Sequence, residues 1–369
     1  AGGAGVRVLV GLSGGVDSSV AAALLVDAGH EVVGATMKLW GGPSDSGCCS
    51  VADVEDARAV ADRLGVAHHV FNFTAEFERD VVSPYVADHG AGRTPNPCVS
   101  CNRHLKFDRF LRRADQLGFD AVATGHHARV VAPTEEGGAW SLRRGLDPAK
   151  DQSYVLHMLG QAQLARLLLP VGELTKDAVR AAAAEWGLRT AGKPDSQDVC
   201  FVTRDAGRAG FLGERLQLRP AAVVDGGGRP VGSVDAVELV TVGQRRGLGL
   251  RPGVVPPGER RYAVDVDPAA GVVRLGALTE LLTDVIPVAA VTWVGAGPVD
   301  GEVLAVQCSA HGAPTPATWV SVGPGRGEVR LARPQRRVAA GQSVVLYRHD
   351  EVLGGGIAER PGDAVGGRR

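Results

Sequence analysis

Residues Gly11–Ser19 read GLSGGVDSS, and they constrain the fold more than any other stretch. They close the apolar run Val6–Leu12 and lead into SVAAALL, a helix-forming string. Strand, glycine turn and helix in that order aim backbone N–H groups and the positive end of a helix dipole at one point. Gly14 and Gly15 carry no Cβ, so an anion can approach the backbone closely. Ser13, Ser18 and Ser19 add hydroxyl donors. Asp17 would repel a bare phosphate, so its place in the turn suggests Mg²⁺. No Lys follows the glycines at Walker spacing, which excludes that loop.

A lone Gly-Gly is most simply a turn between a strand and a helix. S-G-G-V-D-S directly after a strand is more specific. It resembles the pyrophosphate loop of the ATP pyrophosphatase superfamily, whose members cleave ATP between the α and β phosphates and adenylate a substrate. The resemblance implies ATP and Mg²⁺ at Gly11, Leu12, Ser13, Gly14, Gly15, Val16, Asp17 and Ser18.

The first half of the chain repeats one cadence. Strand runs at Val6–Leu12, Glu31–Leu39, Ala67–Phe73 and Ala121–Gly125 alternate with helical patterns that stop at Gly29, Gly65 and Gly118. Ser50 is placed to cap the second helix. A further helix is expected from about Thr74 to Asp88, and another over Arg103–Leu117. This predicts an α/β fold with a parallel sheet covered on both faces. Ligands in such sheets sit beyond the carboxyl ends of the strands. That brings the glycine loop, Met37 and Gly125 to one edge, with Met37 either a core residue or the lining of an adenine pocket. Trp140–Arg144 reads as one arm of a hairpin.

Beyond Asp205 short strands and turns replace the helical periodicity. The expected layout is a catalytic domain over 1–205, a small mixed α/β domain over 206–278 with a hairpin turn at Asp225–Gly228, and a C-terminal β-barrel over 279–369. No apolar run reaches the roughly 20 residues that span a bilayer, and the first residues do not read as an export signal. The reading is cytoplasmic, with no membrane partner. In that compartment six cysteines are expected as thiols, persulfides or metal ligands. A net charge of −1 argues against a uniformly basic nucleic-acid binder. Basic groups at Arg103–Arg113, at Arg143, Arg144 and Lys150, and at Arg245–Arg246 leave room for local RNA-facing surfaces or are simply solvated faces.

Two segments break the cadence. Gly90–Cys101 (GAGRTPNPCVSC) holds two prolines and two glycines and is expected to be irregular. Its Cys98–Cys101 pair suits a redox pair, half a zinc site or cluster ligands. Cys101 is expected just ahead of a helix, where the dipole and Arg103 favour a thiolate nucleophile. Cys200 closes the polar stretch Lys193–Phe201 (KPDSQDVCF). His126 and His127 follow the fourth strand as metal ligands, acid–base groups or, more plainly, a surface loop near the substrate.

S-G-G-V-D-S, T-P-N-P-C-V-S-C-N, A-T-G-H-H-A-R, K-D-Q-S-Y and P-D-S-Q-D-V-C-F occur in this order. Together with GQRRGLG, GQSVVLY and GGGIAE further on, they resemble the bacterial tRNA-specific 2-thiouridylases over nearly the whole chain. The resemblance implies an enzyme that replaces the C2 oxygen of a tRNA wobble uridine with sulfur, in tRNAs reading Lys, Glu and Gln codons. It implies catalytic roles for Asp17, Cys101 and Cys200, with Cys200 carrying a persulfide from a sulfur donor protein and Cys101 attacking it. It implies nucleotide contacts at Met37 and Gly125, and tRNA contacts at Asn96, Pro97, Cys98, His126, Lys150, Asp151, Gln152 and Gln342.

Cys98 stands where many relatives carry Asp, which opens a second mechanism in which Cys98, Cys101 and Cys200 ligate a [4Fe–4S] cluster. The sequence also departs at Val234 and Ala236, where relatives show a G-x-H-x-G pattern, and at Gln307–Pro314, which is short of basic and aromatic residues. Two other classes compete: a pyrophosphate-loop ligase or amidotransferase acting on a small molecule, and an RNA-binding scaffold without activity. Cys48, Cys49 and Cys308 take ordinary packing roles by default.

Overall fold

The computed structural model describes residues 5–40, 50–195, 199–202 and 205–361. Strands β1 (Arg7–Gly11), β2 (Glu31–Lys38), β3 (His68–Asn72) and β4 (Ala121–Ala123) pair in parallel, in the spatial order β3-β2-β1-β4. The apolar runs of the sequence fall on them because both faces are covered: Val8, Leu9 and Val10 are wholly buried. Helix α1 (Val16–Asp27) follows β1, and α2 (Val51–Leu64) follows β2. Ser50 caps α2 through a reciprocal bond with Asp53, and Gly65 ends it in the left-handed conformation.

Residues 74–90 form helix α3 and residues 97–116 form helix α4, each with a wider π-type stretch inside it. Helix α4 starts at Pro97, six residues earlier than the sequence suggested. Pro is well placed at a first helical position, and Asn96 caps the turn by accepting a hydrogen bond from the Cys98 amide at 3.0 Å. Cys98 and Cys101 therefore lie on the first turn of the helix rather than in an irregular loop.

The hairpin of β5 (Ala128–Val131) and β6 (Ser141–Arg144) is present, but it serves another sheet. Val352 pairs with Leu142 and Glu351 with Arg143, so the hairpin extends the C-terminal sheet. A two-residue strand, β7 (Leu167–Leu168), adds to the parallel sheet beside β4. It is too short to leave a periodic signal. Helices α5 (Lys176–Glu185), capped by Thr175, and α6 (Gly207–Gly213) follow.

A second sheet joins β8 (Ala221–Val224), β9 (Pro230–Val234), β10 (Tyr262–Asp267) and β11 (Val272–Gly276) in the order β10-β11-β8-β9, mixed parallel and antiparallel. The turn at Asp225 is the expected hairpin: its backbone N–H donates to Arg229 O at 3.0 Å. The run around Val237 forms a single 3₁₀ turn over Val237–Leu239.

The third sheet holds β12 (Leu282–Trp293), β13 (Val303–Gln307), β14 (Thr315–Gly323), β15 (Arg326–Arg336), β16 (Ser343–Arg348) and β17 (Glu351–Ala358). Pairing of β12 with both β15 and β17 closes these six into a barrel. Leu9, Phe107 and Phe110 of the first sheet region share one apolar cluster with Val345, Tyr347 and Val352 of the barrel. The described residues include no helix long and apolar enough to cross a membrane.

Candidate active site

The glycine loop sits at the carboxyl end of β1 and runs into α1. Gly14 has φ +72°, and a Cβ there would lie 2.3 Å from the Asp53 carbonyl oxygen. Only glycine makes this approach without moving backbone. Gly125, after β4, is pressed against the first turn of α1. A Cβ on it would meet the Ser18 nitrogen at 2.5 Å and the Asp17 carbonyl carbon at 2.6 Å. Ser18 Oγ accepts from the Ser13 amide at 3.2 Å and donates to Gly15 O at 3.1 Å, which fixes the turn. No side chain caps the helix at Gly15, and Ser13 is exposed. The loop thus offers backbone donors and a dipole to an incoming anion. Met37 Cε lies 3.4 Å from where a Cβ on Gly11 would stand, so Met37 flanks the loop as the strand order requires.

Asp17 is the centre of a charged network. His127 Nε2 lies 2.9 Å from its Oδ1, and Lys176 Nζ lies 2.8 Å from both carboxylate oxygens. Burial would raise the Asp17 carboxyl, but the hydrogen bonds from His127 and Lys176 outweigh it and hold the group below its ordinary value. Lys176 also pairs with Asp195 at 2.8 Å, which in turn takes Lys150 at 2.7 Å and Arg180 at 3.0 Å. Burial again acts upward on Asp195, and the Lys150 and Lys176 bonds pull it down to about 2. One ionised carboxylate at the loop suits Mg²⁺, a hard ion that takes few protein oxygens beside those of phosphates.

The two histidines do not form a surface loop, as the sequence suggested. His126 and His127 are 7% and 3% exposed. His126 Nδ1 is 2.7 Å from Thr124 Oγ1, and burial, with Lys106 and His127 nearby, pushes its imidazole well below the ordinary range. His127 orients Asp17 rather than a metal.

Cys101 and Cys200 are both half-buried, and both pack against one apolar cluster built from Leu39, Phe77, Tyr85, Leu105, Phe201 and Phe211. Met37 packs against the same cluster. The fold therefore sets against one apolar cluster two cysteines that the sequence separates widely, and Met37 packs on the same cluster and flanks the loop. Beside Cys200, Val199 has φ +54°, a conformation that a β-branched residue rarely adopts. Cys98 lies half-buried on the same helical turn as Cys101. Among the described residues no group of three or more His, Cys, Asp or Glu is set to hold a metal. As placed, Cys98, Cys101 and Cys200 do not form a cluster donor set. Burial pushes the Cys308 thiol up to about 12. Cys48 and Cys49 lie outside the described residues.

The other residues named from the sequence differ in exposure and in what they bind. Asn96 caps α4, and Pro97 is buried at its first position. Gln342, next to the barrel, donates to Thr94 O, and Thr94 N donates to Ala340 O at 2.7 Å, which pins the segment ahead of Asn96. Lys150 is bound to Asp195. Asp151 accepts from Arg144 Nη1 at 2.7 Å, Gly145 N at 3.1 Å and Ser153 N at 3.0 Å. Gln152 is exposed and accepts from His127 N at 3.0 Å. Arg143 pairs with Asp350 at 3.1 Å, so the basic group at 143–150 is largely taken up by ion pairs.

Lys176 and Asp195 were not singled out from the sequence. One signal was available for Lys176: a cation at the first position of a helix opposes the dipole, so another task must hold it there.

A family model described as "tRNA methyl transferase HUP domain" matches residues 6–204, and one described as "Aminomethyltransferase beta-barrel domain" matches residues 283–358. The chain is 46% identical over 361 residues to a protein of Chloroflexus aurantiacus named tRNA-specific 2-thiouridylase MnmA, covering 96% of this chain and 99% of that one. It is 48% identical over 374 residues to the protein of that name in Beutenbergia cavernae, covering 97% and 96%. For Mycobacterium bovis the figures are 45% over 375 residues, covering 98% and 99%. With a nucleotide-type parallel sheet, a closed six-stranded barrel and identity of this order over almost its whole length, the chain belongs to the tRNA-specific 2-thiouridylase family.

Proposed function

We infer that this protein is a sulfurtransferase that uses ATP to thiolate C2 of a tRNA wobble uridine. The observation that carries the mechanism is the shared patch: Cys101, Cys200 and Met37 pack on one cluster, and Met37 borders the glycine loop. A small-molecule ligase gives no reason for two cysteines to pack on one cluster with the residue that flanks its glycine loop.

The chemistry assigns each part a task. A uracil carbonyl oxygen is a poor leaving group. Its attack on the α-phosphorus of ATP forms an O–P bond, breaks the bond to the β-phosphate and releases pyrophosphate. The backbone donors of residues 11–18 hold the departing phosphates, and Asp17 is the residue to hold Mg²⁺. Bound Mg²⁺ offsets the charge that builds on those phosphates. Gly125 keeps the first turn of α1 in register with the loop.

Sulfur arrives as a persulfide on Cys200, supplied by a donor protein. The Cys101 thiolate attacks Cys200 Sγ, the S–S bond breaks, and the terminal sulfur leaves as sulfide carrying the electron pair. Sulfide adds to C2, AMP departs with the former carbonyl oxygen, and a Cys101–Cys200 disulfide remains for a reductant to reset. Asn96, Pro97 and Cys98 lie beside Cys101, where a base flipped from the anticodon stack would enter. Lys150, Gln152 and Gln342 are the neighbouring candidates for tRNA contact, and His126 and Asp151 support them from within. A tRNA substrate puts the enzyme in the cytoplasm.

The test separates the half-reactions. Cys101→Ser and Cys200→Ser should each keep tRNA-dependent release of pyrophosphate from ATP and lose thiolated product by at least about 10³-fold. Full product from either variant would contradict the assignment.

A further inference from the structure

Residues 91–96 join the end of α3 to the first turn of α4 and form no helix or strand of their own. Backbone bonds tie the start of this joint to α3: Ala91 N donates to Ala87 O at 3.0 Å, Gly92 N to His89 O at 2.9 Å and Arg93 N to Asp88 O at 2.8 Å. Beyond Arg93 the hold comes from distant parts of the chain. Thr94 N donates to Ala340 O at 2.7 Å, and Gln342 Nε2 donates to Thr94 O. The turn between β15 and β16 of the barrel thus takes both backbone groups of Thr94. Arg360, just past β17, donates from Nη2 to Ala91 O at 3.0 Å and to Gly92 O at 3.2 Å. The unit built on the second sheet closes in as well. Thr94 Oγ1 donates to Thr241 Oγ1 at 3.5 Å, and a Cβ on Gly92 would stand 2.6 Å from Pro268 Cγ. Two residues past Thr94, Asn96 caps the turn that carries Cys98 and Cys101.

A short joint between two helices usually satisfies its carbonyls locally or with water. Here a guanidinium and a side-chain amide from the barrel take three of them in four residues. We propose that Arg360 is a positioning residue for sulfur transfer, and that with Gln342 it fixes the first turn of α4, and so Cys101, by way of residues 91–94. The proposal rests on the thiolation reading above. A guanidinium on two successive carbonyls fixes the direction of the backbone as well as its place, and each bond is strengthened by the charge. Without it the joint is free to swing about the end of α3, carrying the cysteine turn with it. A shift of about 1 Å in a reacting group is enough to slow a reaction about 10²-fold.

The test uses the full chain and reads two quantities that a purely stabilising contact leaves alone. Below the melting transition, Arg360→Met should raise the rate of Cys101 alkylation by iodoacetamide at least about threefold, as the turn loosens, and leave Cys200 and Cys308 within about twofold. In thiolation of tRNA it should lower kcat about tenfold or more and leave KM for tRNA and the affinity for ATP within about threefold. Arg360→Lys, which keeps a charged donor, should recover most of both effects. Wild-type alkylation and kcat in Arg360→Met would overturn the proposal, and so would a lower melting temperature with both rates kept. Gln342→Leu removes the donor to Thr94 O and should change Cys101 alkylation in the same direction; it decides if Arg360→Met does not fold. A raised KM for tRNA with unchanged alkylation in Gln342→Leu would make that side chain an RNA contact and overturn its part in the joint. If the wild-type chain thiolates no tRNA, the thiolation reading fails, and the alkylation rates still decide whether Arg360 positions the turn.

Discussion

Asp17 shows how a single carboxylate is kept ready for work. Burial acts against its charge, and two donors on separate elements, His127 and Lys176, restore it. Cys308 packs against the interior of the barrel, and burial pushes its thiol up to about 12, which leaves it protonated and unreactive at neutral pH. Cys308→Ala is expected to leave thiolation within about twofold of wild type, measured as 2-thiouridine per tRNA, and iodoacetamide at pH 7.5 should leave Cys308 unlabelled in the folded chain. Prompt labelling there would contradict its burial.

At the scale of elements, the site is a problem of close approach between a strand end and a helix. Gly125→Ala places a methyl 2.5 Å from the Ser18 nitrogen, a backbone atom that cannot step aside. The first turn of α1 must move with the loop attached. ATP binding is expected to fall at least about tenfold and stability by about 1–3 kcal/mol, read by calorimetry and urea melts. Undisturbed binding would show that the loop tolerates the shift. Burial in the packing between α4 and the neighbouring turn also sets a pH limit. His157 is 1% exposed, and burial together with Arg103 pushes its imidazole down from 6.5 to about 3. The unfolded chain takes up a proton below about pH 6.5 and the folded chain does not. Stability is therefore complete above pH 6.5 and is lost progressively as pH falls toward 3. His157→Phe should flatten that slope in melts between pH 7 and pH 4; an unchanged slope would place the acid sensitivity elsewhere.

Much of this was legible from periodicity and punctuation. The glycine loop, the parallel strands, the Ser50 cap and the Asp225 turn all follow from local rules, and each is found. What was not legible depends on distant partners. The two-residue strand β7 exists only because β4 lies beside it. The β5–β6 hairpin reads as part of the first domain, but its free edge is claimed by β17, more than 200 residues later. The Lys176–Asp195 pair joins a helix start to a loop, with no spacing rule to announce it. That Cys101 and Cys200 pack against one apolar cluster likewise depends on residues far apart in the chain.

At the scale of the whole molecule, Arg144 ties the units together. It donates to Asp151 in the first unit and to Gln307 in the barrel, and its guanidinium lies 3.7 Å from the centre of the Tyr347 ring. Arg144→Ala leaves the largely buried Asp151 without its cation, at a cost of about 3 kcal/mol. Amide exchange in β16 should rise with it, and unchanged protection there would show that the shared apolar cluster holds the barrel without Arg144. Asp151 lies next to Lys150, and Lys150 reaches Asp195, so charged contacts run from the barrel to the nucleotide loop. This continuity fits an enzyme that holds a large substrate with one end of the molecule and reacts with it at the other.

The most direct test of the central claim is thiolation of an unmodified tRNA with a Glu anticodon by iron-free protein. The reaction would be run anaerobically with ATP, Mg²⁺ and a persulfide donor, and the wobble position read by mass spectrometry. The account predicts 2-thiouridine at that position, with a Cys101–Cys200 disulfide accumulating when no reductant is present. Product that forms only after reconstitution of an iron–sulfur cluster would contradict the persulfide route. No thiolated product under either condition, with ATP cleaved on adding another acceptor, would contradict the function itself.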